Sequence, residues 1–136
     1  LDERDFVPAG GQGALCVEAV AGRLVGGAAE LDLAIGALDN ERADREVAAE
    51  RAFLAALGAS CVSPVGVKAT SSDSALSIHA LLFSLDGARH LRDELSDELA
   101  DRSGASSPTP ADAQRLGTAL AERMFARGAR AMLADG

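Results

Sequence analysis

The spacing of apolar and polar residues changes along the chain, and its first clear period is helical. Residues 41–57 read ERADREVAAERAFLAAL and are dense in helix-forming residues. The apolar flank of this segment consists of Val47, Leu54 and Leu57. Asn40 stands at the expected N-cap, and Gly58 stands where a left-handed residue often ends a helix. The pattern therefore predicts a helix that ends directly before a loop containing Cys61.

After Pro64 the apolar residues recur at every second position, which is typical of strands. Residues 65–70, 75–85 and 88–96 show this pattern, separated by SSDS and by an Asp-Gly turn. One face of the middle segment carries Leu76, Ile78, Ala80 and Leu82, and the other carries Ser77, His79, Leu81 and Phe83. We therefore predict three antiparallel strands.

A second helix is predicted after a polar stretch at 97–108 that reads as a loop. Thr109, Pro110 and Asp112 give an N-cap, a proline at the first helical position and an acid at the third. The apolar stripe that follows is formed by Leu116, Leu120 and Met124, and Gly128 interrupts the helix before ARAMLAD. The order from residue 41 predicts an α+β fold, with a three-stranded antiparallel sheet packed with helices.

The first forty residues are patterned differently. The segment FVPAGGQGALCVEA begins with a Pro/Gly-rich turn, and Leu15, Val17 and Ala19 then alternate as in a strand. Apolar residues at 31, 35 and 38 predict a short amphipathic helix. The chain also lacks an initiator methionine and a secretory signal, and we expect it to be a fragment of a longer protein.

Composition excludes several classes of function. The net charge of −8 over 136 residues disfavours nucleic acid and anionic membranes, because binding phosphates requires a basic face. No apolar run reaches the length of a membrane span. The chain has only two cysteines, far apart, and two histidines, so we expect neither a disulfide framework nor a metal site. Reduced thiols in the cytoplasm are the simplest expectation.

The candidate chemistry centres on Cys61 in the small-residue loop GASCVSPVG. From composition alone, a lone cysteine is best interpreted as a small buried hydrophobe, and this interpretation also holds for Cys16. His79 is expected to be a half-buried strand residue, and His90 an exposed edge residue. The spacing offers no Cys-His pair with a nearby acid, so a cysteine hydrolase is disfavoured.

Two segments together resemble one known family. VPAGGQGALCVEA is similar to the P-A-x-G-Q-G-A-L/V-G-I/V-E segment of porphobilinogen deaminases (hydroxymethylbilane synthases). AAERAFLAALGASCVSPVGVKA resembles the family's A-E-R-A-x-x-x-x-L-x-G-G-C-x-x-P-I/V-G-x-x-A segment. The matching positions are Glu50, Arg51, Ala52, Leu57, Cys61, Pro64 and Gly66. Both segments occur in the family's order, and the resemblance covers essentially the whole chain.

The resemblance implies a three-domain transferase of tetrapyrrole (haem) biosynthesis. Residues 1–40 would be the C-terminal remnant of the second, α/β domain, and residues 41–136 the third, cofactor-anchoring domain. The family joins four porphobilinogens into hydroxymethylbilane on a dipyrromethane cofactor, which a thioether holds to the loop cysteine, here Cys61. Gln12 and Gly13 match family positions beside the cofactor and the growing polypyrrole. The full-length family is typically monomeric and cytoplasmic, and binds neither nucleic acid nor membrane.

The departures from the family pattern also carry expectations. Ala59 and Ser60 replace the two glycines before the cysteine, which stiffens the loop, and Cys16 replaces a glycine. The family's catalytic aspartate and most of its substrate-binding arginines lie in upstream parts, so this chain carries no catalytic residue and is expected to be inactive alone. A remnant with an unpaired strand edge is expected to dimerise or to be disordered.

A second class of function remains open from the sequence. The chain could be a free-standing, non-catalytic α+β module that shares the scaffold and uses its sheet as an interaction surface. The sequence upstream of the chain distinguishes the two hypotheses. A transferase requires more than a hundred further residues of two-lobed α/β sequence, by the usual size of domains.

Overall fold

The computed structural model of the chain describes residues 6–18, 28–98 and 107–134. The elements are α1 (Ala28–Gly36), α2 (Glu41–Leu57), β1 (Val65–Ser71), β2 (Ala75–Phe83), β3 (His90–Glu98), α3 (Pro110–Ala126) and α4 (Ala129–Ala134). The three strands form one antiparallel sheet in the order β1-β2-β3. The predicted α+β class, with a three-stranded antiparallel sheet packed with helices, is confirmed.

The register of the sheet confirms the predicted division of β2 into two faces. Leu76, Ile78, Ala80 and Leu82 are all buried, and they contribute to the same core as α2 and α3. On the opposite face His79 lies between Lys68 of β1 and Glu94 of β3. The core-facing side of β1 and β2 is therefore mostly apolar, whereas the opposite side of the sheet carries Lys68, His79 and Glu94.

The ends of both long helices are formed by the predicted capping residues. The Asn40 side chain accepts a hydrogen bond from the Ala43 backbone at 3.0 Å, and Gly58 ends α2 in the left-handed conformation with φ 70°. Thr109 and Asp112 form a reciprocal capping box at the start of α3. These caps satisfy backbone groups that a helix end otherwise leaves unpaired.

The core lies between the sheet and the two long helices, and α2 packs closely against α3. The large side chains at its centre are fully buried: Phe53, Leu76, Ile78, Leu82, Leu120 and Met124. At the crossing, a Cβ atom placed on Gly117 would lie 2.1 Å from the backbone oxygen of Ala49. The two backbones approach this closely because residue 117 has no side chain.

An ion cluster joins β3 to α3 on the core-facing side of the sheet. The Asp93 carboxylate accepts hydrogen bonds from Arg123, whose Nε lies 2.8 Å from Oδ2, and Arg127 Nη1 lies 2.9 Å from the same oxygen. The hydrogen bonds from Arg123 first, and then from Arg127, lower the pKa of Asp93 from its ordinary 3.8 to about 2, against burial, which raises it. Asp93 is therefore ionised and paired near neutral pH.

Three expectations about local structure are corrected. Residues 14–18 are not a strand, because within the described residues their backbone pairs with no neighbouring strand; Ala19 lies outside the described residues. Strand β3 continues to Glu98, into the predicted loop, because its last residue pairs with Ala75. Helix α1 begins and ends earlier than the apolar pattern indicated, and Leu38, expected on its apolar side, follows the helix and is exposed.

We predict that Gly117→Ala lowers the free energy of unfolding by about 2 kcal/mol, because the new methyl group forces α2 and α3 apart. Urea unfolding followed by circular dichroism measures this. Gly36→Ala is the matched control, since a Cβ at that helical position meets nothing within 4 Å. The control should be neutral or slightly stabilising, by at most ~1 kcal/mol. Equal destabilisation by both variants would contradict the close crossing.

We predict that Asp93 makes the free energy of unfolding depend on pH in the acid range. Because folding lowers its pKa to about 2, its contribution is complete above the unfolded value near 4 and is lost as the pH falls towards 2. Asp93→Asn should therefore lose less stability than the wild type between pH 5 and 2, measured as urea midpoints. Asp73→Asn, in the exposed turn between β1 and β2, should keep the wild-type slope. An unchanged slope in Asp93→Asn would refute the coupling.

Candidate functional site

Cys61 lies in a tight turn that begins where α2 ends. Gly58 reverses the chain direction, and the Ala59 backbone N–H donates to the carbonyl oxygen of Leu54 at 3.0 Å. Ser60 and Ser63 then close the turn: the Ser60 N–H donates to Ser63 Oγ at 2.9 Å, and the Ser63 N–H to the Ser60 carbonyl at 3.0 Å. Cys61 lies between these two serines and is exposed.

The exposure of Cys61 tests the interpretation that it packs as a small hydrophobe. A cysteine that served as a small core hydrophobe would be buried, and Cys61 is not. The neighbouring Val62 is 85 % exposed, so the tip of the turn contributes nothing to the core. The packing explanation is therefore wrong for Cys61, and its thiol is accessible to a reagent or ligand from outside.

The turn is held to the sheet on its C-terminal side. The Pro64 carbonyl accepts a hydrogen bond from the Phe83 backbone at 2.9 Å, and Val65 begins β1. Within the described residues no residue other than glycine has a positive φ, so Ala59 and Ser60 fit ordinary backbone conformations. The Cys61 turn is thus fixed at both ends, by α2 before it and β1 after it.

Gln12 and Gly13 lie in a second turn, here called the GQG turn and defined as residues 9–14. The Gln12 backbone N–H donates to the Ala9 carbonyl, and the Ala9 N–H donates to the side-chain oxygen of Gln12, both at 3.1 Å. Because the amide oxygen accepts within the turn, the amide nitrogen is the group that can donate to a ligand. Gln12 and Gly13 are both exposed.

Two hydrogen bonds attach the GQG turn and the residues before it to the α+β unit. The Pro8 carbonyl accepts from the Val67 backbone of β1 at 2.9 Å. The Gly11 backbone N–H donates to Glu50 Oε2 of α2 at 2.6 Å. A cleft of about 380 Å³ lies between the turn, α2 and β1. Its polar lining comes from Gln12, Glu46, Glu50 and Lys68.

The structure brings Gln12 and Gly13 together but places Cys61 elsewhere. Cys61 is not among the residues that line the cleft, and no hydrogen bond in the described part of the chain joins the two turns. Both turns nevertheless depend on α2. Glu50 lies in the middle of the helix and the Cys61 turn at its end, which separates the two attachment points by about 10 Å along the helix axis.

The remaining candidate residues have simpler surroundings. Cys16 is exposed, so the expectation that it packs as a small hydrophobe is wrong. His79 is half-buried, as predicted, and its Nε2 atom is buried without a hydrogen-bond partner among the described residues. His90 is exposed at the start of β3, with its ring centroid 6.0 Å from that of Phe83.

Glu50 is the residue whose role the sequence analysis missed. Charged residues in a helix rich in Arg and Glu are usually solvated, but Glu50 is only 6 % exposed. Its Oε1 accepts from the Ala69 backbone at 2.9 Å, while Oε2 accepts from Gly11. The signal was available in the spacing, because residue 50 precedes Leu54 by four positions and Leu57 by seven, on the apolar flank.

The described ranges 6–18, 28–98 and 107–134 contain neither a candidate metal site nor a candidate membrane-spanning helix. No group of three or more His, Cys, Asp and Glu side chains there could hold a metal ion. No helix within these ranges is long and apolar enough to cross a membrane.

The chain is similar to known porphobilinogen deaminases, both to a family model and to individual proteins. The family model described as "Porphobilinogen deaminase, C-terminal domain" matches residues 45–126, which include most of α2, the Cys61 turn, the sheet and α3. Porphobilinogen deaminase of Corynebacterium aurimucosum is 35 % identical over 134 residues, 98 % of this chain and 40 % of that protein. The enzyme of Thermus thermophilus is 35 % identical over 136 residues, 99 % of this chain and 40 % of that protein.

A third relative, porphobilinogen deaminase of Synechococcus elongatus, is 37 % identical over 123 residues, 90 % of this chain and 33 % of that protein. The chain thus spans about 33 to 40 % of the length of these curated relatives. The family model covers more than half of the chain and includes the turn that carries Cys61. The chain belongs to the porphobilinogen deaminase family.

Proposed function

We propose that the full-length protein containing this chain joins four porphobilinogens head to tail into hydroxymethylbilane, and that Cys61 anchors the dipyrromethane primer. The observation that carries this proposal is the exposed thiol of Cys61, in a turn fixed by α2 and β1, within the part that matches the family model. The three relatives described above are each named porphobilinogen deaminase.

The chemistry of the anchor follows from a thiol in that position. A thiolate is a strong, soft nucleophile, suited to an electrophilic methylene carbon such as the one left when a porphobilinogen loses ammonia. The sulfur supplies the electron pair of the new C–S bond, and the thiol proton is released. The cofactor, once bound, supplies the two-pyrrole primer on which the product grows. The thioether keeps that primer from diffusing away, which removes the entropic cost of recapturing it.

The GQG turn has the second role in the proposal. Porphobilinogen and the growing polypyrrole carry carboxylates, which an amide N–H can bind. Gln12 is oriented by its own side-chain oxygen, which accepts from Ala9, so its amide nitrogen is the donor. Gly13 allows a ligand to approach the backbone closely. We assign Gln12 and Gly13 to binding, and no catalytic residue to this chain.

The division into domains follows the same proposal. Residues 41–136 are taken as the cofactor-anchoring domain, and residues 1–40 as the end of the preceding cleft domain. We propose that the 136 residues alone do not turn over substrate. The described lining of the cleft contains Lys68 but no arginine, and binding a polycarboxylate tightly needs several cations. We further propose that the full-length protein is a cytoplasmic monomer.

We predict that the purified full-length protein carries a two-pyrrole adduct on Cys61, because its thiol is accessible. Intact-mass measurement and peptide mapping detect the adduct. Cys61→Ser should abolish it, together with hydroxymethylbilane formation, whereas the matched control Cys16→Ser changes the other exposed thiol and should retain both. An unmodified Cys61 in an active full-length protein would refute the anchor. A folded full-length protein with neither adduct nor activity would favour the non-catalytic module instead.

We predict that Gln12→Ala raises the KM for porphobilinogen by about tenfold, because the lost hydrogen bond is made to a charged carboxylate. Steady-state kinetics on the full-length protein measure the change, and the adduct on Cys61 should remain. Gln114→Ala, at an exposed position of α3, is the control and should leave KM unaltered. A KM that is the same in Gln12→Ala and in the wild type would remove Gln12 from the binding site.

A further inference from the structure

The Glu50 carboxylate holds two separate parts of the chain at once. Oε2 accepts the Gly11 backbone N–H at 2.6 Å, and Oε1 accepts the Ala69 backbone N–H at 2.9 Å. The side chain projects from the middle of α2 and the residue is 6 % exposed. A buried carboxylate requires such donors, since an unpaired charge away from water is strongly unfavourable. Glu50 is thus bound by hydrogen bonds to both neighbouring backbones.

The Gly11 hydrogen bond falls directly beside the residue assigned to binding. Gly11 has a φ of 75° and immediately precedes Gln12, and its carbonyl accepts from Ala14 at 3.1 Å. Residues 15–18, which follow the turn, are exposed and pair with no described strand. Leu54 of α2 packs against Gly10 of the turn. The Glu50 bond is the one side-chain hydrogen bond, among those observed in the described part of the chain, that joins the GQG turn to α2.

We propose that Glu50 is a positioning residue, which sets the place of Gln12 and Gly13 relative to the helix that ends at the Cys61 turn. The inference rests on the proposed function, because it assumes that Gln12 binds the substrate. Glu50 itself does not need to touch a pyrrole. It acts through Gly11, by keeping the GQG turn in the geometry in which the Gln12 amide meets a carboxylate.

A purely structural role is the competing explanation, because the Ala69 bond also ties α2 to β1. A second hydrogen bond between α2 and β1 provides a control for this structural role. Arg45 of α2, 8 % exposed, donates from Nε to Ser71 Oγ of β1 at 3.0 Å, and this bond makes no contact with the GQG turn. Ser71→Ala therefore weakens the same junction between helix and strand and leaves the Gly11 bond in place.

The experiment compares Glu50→Ala and Ser71→Ala in the full-length protein. Glu50→Ala should raise the KM for porphobilinogen by about tenfold, with the Cys61 adduct and kcat retained. Ser71→Ala should lower the thermal midpoint without raising KM. Glu50→Gln should fall between Glu50→Ala and the wild type, because an amide has one acceptor oxygen for two N–H donors. If KM rises in both Glu50→Ala and Ser71→Ala, in proportion to the loss of thermal stability in each, the proposal is overturned.

A double-mutant cycle separates action through Gln12 from any other effect. In the Gln12→Ala background, Glu50→Ala should add nothing to KM, because the group that it positions is already gone. A full additional rise would mean that Glu50 acts by another route and would overturn the positioning role. If Glu50→Ala does not fold, the same cycle is run with Glu50→Gln.

Hydrogen exchange in the wild type tests the contact without any substitution. The Gly11 amide should exchange much more slowly than the amides of residues 15–18, because its hydrogen is bonded to a buried carboxylate. Fast exchange at Gly11 overturns the inference.

The proposed function and the positioning role of Glu50 are contradicted by different results. An active wild type with an unchanged KM in Glu50→Ala refutes the positioning alone, whereas a folded wild type with neither activity nor adduct refutes both.

Discussion

The structure depends above all on the close packing of α2 against α3, which holds α2 against the sheet. Gly117 lets the backbone of α3 meet the backbone of α2 at Ala49, and Phe53, one helical turn further along, is fully buried. Everything assigned to function is attached to this helix. Its C-terminal end leads into the Cys61 turn, and its middle carries the carboxylate that holds Gly11. A displacement of α2 would therefore move both turns together.

Most helices and strands of the α+β unit could be predicted, because the local sequence signals agree with the way these elements pack in the fold. Asn40, Gly58 and the Thr109–Asp112 capping box mark helix ends by backbone hydrogen bonding alone, which operates within a few residues. The alternation in β2 likewise indicates which side chains are buried. Residues 14–18 were misjudged because alternation shows only that a segment suits a strand. Whether a strand forms depends on a partner, which the local pattern does not contain.

Cys61, Gln12 and Gly13 could be chosen as candidate site residues from the sequence, but Glu50 and the arrangement of the site could not. Cys61 and Gln12 could be singled out by the family motifs they lie in, and the exposure of both agrees with a binding role. Glu50 was missed because a charged residue in a helix rich in Arg and Glu is usually solvated. Only the fold shows two backbone N–H groups, 39 and 19 residues away, meeting its carboxylate.

The ordinary backbone of Ala59 and Ser60 has a consequence for how far anything attached to Cys61 can travel. Two glycines before the cysteine would give the turn many accessible conformations, whereas alanine and serine restrict it, and the paired serines close it further. A group bound to Cys61 would therefore move mainly by rotation about the bonds of the cysteine side chain. If a polypyrrole grows on Cys61, as proposed, the protein around it would have to move to make room.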